Sequence, residues 1–342
     1  MRPTFRYISL AIILAGAAST VISAAAQEAK HQPPQEVLGS FINADATDTS
    51  TKLEVIQQEL YLAEEETILS NFNLEYGMRD HIRRVLYGSG HELIPGYIFT
   101  PVNMTAGKKY PGILLLHGGF HEKLDWRFFA YIDAAVARGF VVLFPEYRGS
   151  RGYGENHYHN EYGVTDLEDV LAGADYLAAL PYVDASRLGI IGHSRGGMLT
   201  MRAIEEAPQK FRAAVEIAGL VDFLSYMAYK PDSRRNEVAT EKVFGGKLPS
   251  QNLQPYLEIS PITHVDKIQT PLLLLGTTLD DEVPLSLHGA RMADAMKARG
   301  KSFEMHVYDK APGGHVFLFG DTPDARDCLK RSMDFLADHL KP

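Results

Sequence analysis

The sequence predicts an α/β fold: a mostly parallel, doubly wound sheet with helices on both faces. Three observations carry this expectation. From about residue 110 onward, short apolar runs of strand length alternate with amphipathic runs of helix length. That is the pattern of a parallel sheet covered on both sides. A hexapeptide, Gly192-His193-Ser194-Arg195-Gly196-Gly197, stands between a strand-like and a helix-like run, where a tight strand-to-helix turn needs its glycines. The 342 residues are 45% hydrophobic and 23% charged, an ordinary globular composition with enough chain for one sizeable core.

At the N-terminus, Arg2 and Arg6 precede an apolar run from Ile8 to Ala18, and Ser23-Ala24-Ala25-Ala26 offers small residues. This is a secretory signal pattern over residues 1–26, with cleavage expected after Ala26. The apolar run is short for a membrane span. A periplasmic or secreted protein, free of the membrane after cleavage, is therefore expected. Cleavage removes two arginines and no acid, so the formal net charge moves from −9 to −11. An acidic balance argues against nucleic acid as a partner, and nothing in the sequence specifies an oligomer. The one cysteine, Cys328, excludes an internal disulfide and reads as a small core residue.

Residues 27–79 read as a leader and helical extension. Positions 27–50 are polar, whereas Leu53, Ile56, Leu60, Ile68 and Leu69 recur among acids with helical spacing. Such a helix would pack on the main domain or shade the active site. Residues 80–342 form that domain. His81 to Tyr87 and Leu93 to Thr100 read as strands around Gly88-Ser89-Gly90. Strands follow at Ile113–Leu116, Phe140–Phe144, Leu188–Ile191, Ala213–Ile217, Leu272–Leu275 and Phe303–Tyr308. Helices are expected at Phe128–Arg138, Val164–Ala179, 197–206, Leu287–Ala298 and Ala325–Leu340. Residues 220–266 interrupt the alternation with Tyr, Pro, Gly and many charges. An insertion at this point lies at the carboxyl edge of the sheet and is a candidate cap.

The hexapeptide reads as a nucleophile elbow that exposes the Ser194 hydroxyl and sets the Arg195 N–H at a helix start, beside a developing oxyanion. A serine hydroxyl needs a base, and the base needs an orienting acid. In elbow hydrolases the order is Ser, then acid, then His. Asp280 and Asp281 both follow the strand Leu272–Leu275. His315 lies in a glycine-flanked loop after the strand Phe303–Tyr308, while His288, His306 and His339 sit inside helix or strand patterns. The strand Leu114-Leu115-Leu116 ends in His117-Gly118-Gly119, whose backbone N–H groups can complete the oxyanion hole with Arg195. Arg148 is expected to pair with Asp166 or Asp169, and Trp126 to lie in the core or a cleft wall. His157 and His159 read as a solvated loop rather than a metal site, so neither metal nor cofactor is expected.

With these residues in view, residues 80–340 resemble the catalytic domain of the prolyl oligopeptidase family of serine peptidases, which has the α/β-hydrolase fold. Arg148-Gly149-Ser150-Arg151-Gly152-Tyr153-Gly154, Tyr182-Val183-Asp184, the elbow, Ser260-Pro261-Ile262-Thr263 and Asp280-Asp281-Glu282-Val283-Pro284 carry the resemblance. It implies a Ser194–His315–Asp280 triad, with Asp280 selected over Asp281 because the acid lies three places before the valine. It also implies an acyl-enzyme and small peptide substrates, with Glu282 and Val283 at the substrate. The expected domain stands without the family's β-propeller, which about fifty residues cannot build. His117 replaces a hole-completing Tyr, Glu282 replaces an Arg or Asn, and Arg195 replaces a Tyr and could attract an anionic group. These departures keep carboxylesterase or other acyl-ester hydrolysis as the alternative. Loss of a triad member would instead mark a catalytically dead scaffold, and none is lost.

Overall fold

A computed structural model describes residues 49–341; the signal pattern and most of the leader lie outside the described residues. The helices are α1 (Thr49–Tyr76), α2 (Phe129–Ala137), α3 (Glu155–Tyr158), α4 (Thr165–Ala179) and α5 (Arg195–Glu206), then α6 (Phe223–Tyr229), α7 (Asp232–Ala239), α8 (Gln254–Glu258), α9 (Gly289–Ala298) and α10 (Pro323–Leu340). The strands are β1 (Asp80–Ser89), β2 (Glu92–Pro101), β3 (Tyr110–Leu116), β4 (Val141–Pro145), β5 (Val183–His193), β6 (Ala213–Ile217), β7 (Leu272–Thr277) and β8 (Glu304–Tyr308). They form one sheet in the order β1-β2-β4-β3-β5-β6-β7-β8. The β1–β2 and β2–β4 pairs are antiparallel, and every later pair is parallel. This is the α/β-hydrolase arrangement.

Successive strand residues face opposite sides of a sheet, and the core divides accordingly. Leu114, Leu116, Val141 and Leu143 join α4, α5, α9 and the 220–266 segment in one cluster. Ile113, Leu115, Val142 and Phe144 join α2, α10 and Phe72 of α1 in the other. The strands are apolar on both faces because both faces are covered.

The chain runs from β3 to β4 on one side, then returns to place β5 on the other side of β3. Ligand crevices form where strand order reverses, at the carboxyl ends. The loop after β3 and the turn after β5 therefore share one crevice. Their register is fixed by Leu116 pairing with Gly192.

One expectation needs correction. Helix α1 is longer than the periodicity predicts, and Leu53, Ile56 and Leu60 are exposed. Its docked face lies further along, where Phe72 is fully buried against Phe99 and Phe129. Polar ties complete it: Glu65 accepts a hydrogen bond from the Tyr97 hydroxyl and pairs with Arg84 at 3.2 Å. Glu64 pairs with Lys123 and Arg151, both at 3.0 Å. Of the two places expected for Trp126, core and cleft wall, the structure gives the second, with the ring 67% exposed. It lines a surface groove with Tyr76 and Phe129, because the β3–α2 connection carries it out over α1. Among the described residues, no helix is long and apolar enough to cross a membrane.

Candidate active site

The turn from β5 into α5 holds Ser194 at φ 58°, ψ −119°. A non-glycine residue there stores about 1–3 kcal/mol. The flanking glycines are required by contact. A Cβ on Gly196 would lie 2.5 Å from the Leu116 carbonyl oxygen, and one on Gly197 would lie 2.8 Å from Gly219 Cα. A Cβ on Gly192 would collide with the Gly196 carbonyl. Side chains at these places would open the turn and withdraw the serine.

Ser194 Oγ lies 2.8 Å from His315 Nε2, and His315 Nδ1 lies 2.8 Å from Asp280 Oδ2. The second carboxylate oxygen, Asp280 Oδ1, accepts N–H bonds from Glu282 at 3.0 Å and Val283 at 2.7 Å. These fix the carboxylate and aim Oδ2 at the ring. His315 rides on a short turn, Gly314–Phe319, entered through Gly313 at φ 100° and Gly314 at φ 56°. The left-handed pair brings the loop back over Leu279 and sets the imidazole between acid and serine. Asp281, the neighbouring candidate, is exposed.

On the other side, a Cβ on Gly118 would be 3.1 Å from Ser194 Cβ, so the β3 loop passes directly against the elbow. Gly119, at φ 64°, lines the cavity above the serine together with Arg195. The first α5 ladder bond runs from the Met198 N–H to the Ser194 carbonyl. The Arg195 N–H therefore stands before the ladder begins, as first-turn donors do. His117 is wholly buried, stacked on Tyr147 at 4.2 Å, with Nε2 2.9 Å from Ser150 Oγ. Burial drives its pKa down to about 3, so a neutral ring buttresses the loop and stays off the cavity wall.

The cavity holds about 180 Å³. Phe120, Tyr162, Leu220, Tyr226, Val283 and Val316 make its apolar wall; Glu282 and Arg234 reach it from the rim. Tyr226 and Arg234 come from α6 and α7, so the 220–266 segment is a cavity wall. It is anchored by its own buried side chains, with Phe244 stacked on Tyr256 at 4.0 Å. Glu282 accepts from Lys230 Nζ at 2.6 Å. That bond, against a smaller burial effect, holds its carboxyl below the usual range. A larger groove of about 640 Å³ beside α1 and Trp126 holds no part of the serine constellation.

Arg195 corrects its expected role. Its side chain is 2% exposed and pairs with buried Asp166, donates to the Phe120 carbonyl at 2.5 Å, and lies 4.2 Å from the Tyr162 ring centre. Burial alone would lower its pKa, but Asp166 carries it above the ordinary arginine value. The charge is consumed inside the wall rather than offered to an anionic substrate. Arg148 takes Asp169, with Nη2 at 2.7 Å from Oδ1 and Nε at 2.9 Å from Oδ2. His157 turns inward to the Tyr147 carbonyl at 3.1 Å, whereas His159 is exposed beside Glu155. Among the described residues, no group of three or more His, Cys, Asp or Glu could hold a metal ion. Cys328 is buried under the Tyr131 hydroxyl. Local sequence pattern predicts neither the Arg195–Asp166 pair nor the His193 contact with the His315 backbone. The sequence signals for the first are the arginine directly after the elbow serine and the reading of Asp166 as an arginine partner.

A family model described as the prolyl oligopeptidase family matches residues 126–342. The chain is 30% identical over 227 residues to the acylamino-acid-releasing enzyme of Arabidopsis thaliana, covering 62% of this chain and 28% of that protein. It is 27% identical over 265 residues to the uncharacterized peptidase YuxL of Bacillus subtilis, covering 74% and 39%. Among solved structures, a puromycin-hydrolyzing peptidase of Mycobacterium tuberculosis superposes with TM-score 0.64 at 26% identity, covering 76% of this chain and 39% of that one. Pyrococcus horikoshii acylaminoacyl peptidase shares the fold, with TM-score 0.68 at 24% identity over 79% of this chain and 43% of that one. The chain thus spans less than half the length of these relatives.

Proposed function

The chain belongs to the prolyl oligopeptidase family, and from that premise we propose that it is an exported serine peptidase acting on small peptides through an acyl-enzyme on Ser194. The observation that carries this is the pair of 2.8 Å contacts linking Ser194 Oγ, His315 and Asp280. Ser194 Oγ attacks the scissile carbonyl carbon while its proton passes to His315 Nε2. Asp280 accepts from His315 Nδ1 and stabilises the imidazolium. The developing oxyanion receives the N–H groups of the 117–119 loop, Gly119 foremost, and of Arg195. One such donor contributes about 3–4 kcal/mol to the transition state. His315 then protonates the leaving amine, and water attacks the acyl-enzyme with His315 as base. The aromatic and aliphatic wall suits an apolar side chain beside the scissile bond.

Glu282 supports ester hydrolysis as a second reading, because a carboxylate on the rim disfavours the carbonyl oxygens of an extended peptide. A fluorophosphonate should label Ser194 in the wild type and leave Ser194→Ala unlabelled. A folded wild type that resists labelling refutes the serine-hydrolase reading. N-acyl peptides and aminoacyl amides, assayed beside short p-nitrophenyl esters, separate the two substrate classes; turnover of the esters alone favours the second. A mass corresponding to a start near Gln27 is expected for the exported protein.

A further inference from the structure

We infer that His193, the residue before the nucleophile, is a positioning residue for the catalytic base. The inference rests on the assignment of Ser194 and His315 made above. His193 Nε2 lies 2.8 Å from the backbone carbonyl of His315. A carbonyl only accepts, so Nε2 carries the proton and the ring is the Nε2–H tautomer. Burial, with His315 alongside, holds the His193 pKa well below its usual value, and the ring stays neutral. One uncharged donor on the end of β5 thus ties down the backbone of the residue that carries the base, 122 positions away.

Buried Phe317 and Leu318 seat the turn that carries the base, and the mooring adds a tie at the base's own residue. His315 follows two glycines in the left-handed region, which give a loop little intrinsic stiffness. Asp280 fixes the far side of the His315 ring through the side chain alone, while the turn itself is closed by the Val316 N–H on the Gly313 carbonyl. His193 supplies the second point. Its ring is packed edge-on to Phe319 at 5.3 Å and lies 4.6 Å from the His315 ring. The side chain is held on both sides, and the donor cannot swing away. Because serine and mooring are consecutive residues of one rigid strand end, the Ser194–His315 separation is set across a single short linkage. A misplacement of about 1 Å at such a distance costs on the order of a hundredfold in rate. A neutral ring is also required for a second reason: a charged neighbour would oppose the imidazolium that forms on His315 in each turnover.

The test compares His193→Phe, which keeps a ring and loses the donor, with His193→Gln, whose amide nitrogen can replace Nε2. Both are measured for kcat and KM on a p-nitrophenyl ester, for fluorophosphonate labelling, and for thermal midpoint. We expect kcat to fall roughly 10- to 100-fold in the Phe variant, with KM within twofold, and to recover in the Gln variant to within about fivefold of wild type. Wild-type kcat in the Phe variant overturns the role. So does an equal loss in both variants at unchanged thermal midpoint. A wild type that does not label at Ser194 overturns the underlying assignment instead, so the two failures are distinguishable.

Discussion

Asp166→Ala should be among the most destabilising single changes in this molecule, although Asp166 does not line the cavity above Ser194. The side chains of Asp166 and Arg195 are 0% and 2% exposed, and each is the other's charge partner. Arg195 also donates to the Phe120 carbonyl, while its Nε is buried without a partner. Removing Asp166 leaves a guanidinium desolvated with one carbonyl and two aromatic faces for company. Stranding a buried charge in this way costs about 3–5 kcal/mol. At roughly 2–4 °C per kcal/mol for domains of a few hundred residues, the thermal midpoint should drop by about 10 °C. Urea unfolding reads the same loss as a lower midpoint at unchanged slope. The reasoning makes a second demand. Replacing both partners, Asp166→Leu with Arg195→Met, removes the stranded charge and should recover most of the stability, since apolar groups of similar volume often match or exceed a buried pair. A single variant costing under about 1 kcal/mol refutes the argument, as does a double variant no more stable than the single.

Two further outcomes follow from the geometry. Asp280→Asn keeps the shape but favours the wrong His315 tautomer, so kcat should fall by about 10³–10⁴-fold with the melting temperature nearly unchanged; steady-state kinetics beside a thermal melt checks both. Glu216 on β6 is buried and accepts from the Gly219 N–H, and burial raises its carboxyl to about 8. Between the unfolded value near 4.5 and about 8, the native state binds a proton that the unfolded chain lacks, so this group makes stability fall as pH rises. Glu216→Gln should remove about 1 kcal/mol per pH unit of that decline between roughly pH 5.5 and 7.5; parallel urea titrations of wild type and variant with identical slopes would rule this out.

The parts legible in the sequence are those written in local pattern. Short, mostly apolar runs mark β3, β4, β6 and β7 to within three positions, because a strand covered on both faces has little polar register to obscure it. The order Ser194, Asp280, His315 is legible because each follows a strand and must reach one edge of the sheet. What escaped is fixed by contacts distant in sequence. Asp166 and Asp169 sit three apart on one face of α4, equally placed for an arginine. Only the path of the Arg148 loop and the start of α5 assign one to each. Leu53, Ile56 and Leu60 have helical spacing, yet spacing cannot say where the domain surface ends beneath a 28-residue helix.

The strained serine persists because its neighbours leave the backbone no alternative. The Ser194 N–H donates to the Ile217 carbonyl at 2.9 Å, and its own carbonyl accepts from Met198 at 3.0 Å. The first bond belongs to the β5–β6 ladder and the second to the start of α5. Relaxing φ at Ser194 would therefore break a strand edge and a helix terminus together, each worth about as much as the 1–3 kcal/mol stored in the turn. The register that pairs Leu116 with Gly192 closes the third side, because it brings the β3 carbonyls against Gly196. Ser194 Oγ thus projects at the one height that the Gly119 loop and the His315 ring share. The positions of Ser194 and of the Gly118–Gly119 loop are consequences of one sheet register, and the proposed base, His315, is brought to them on its own turn after β8.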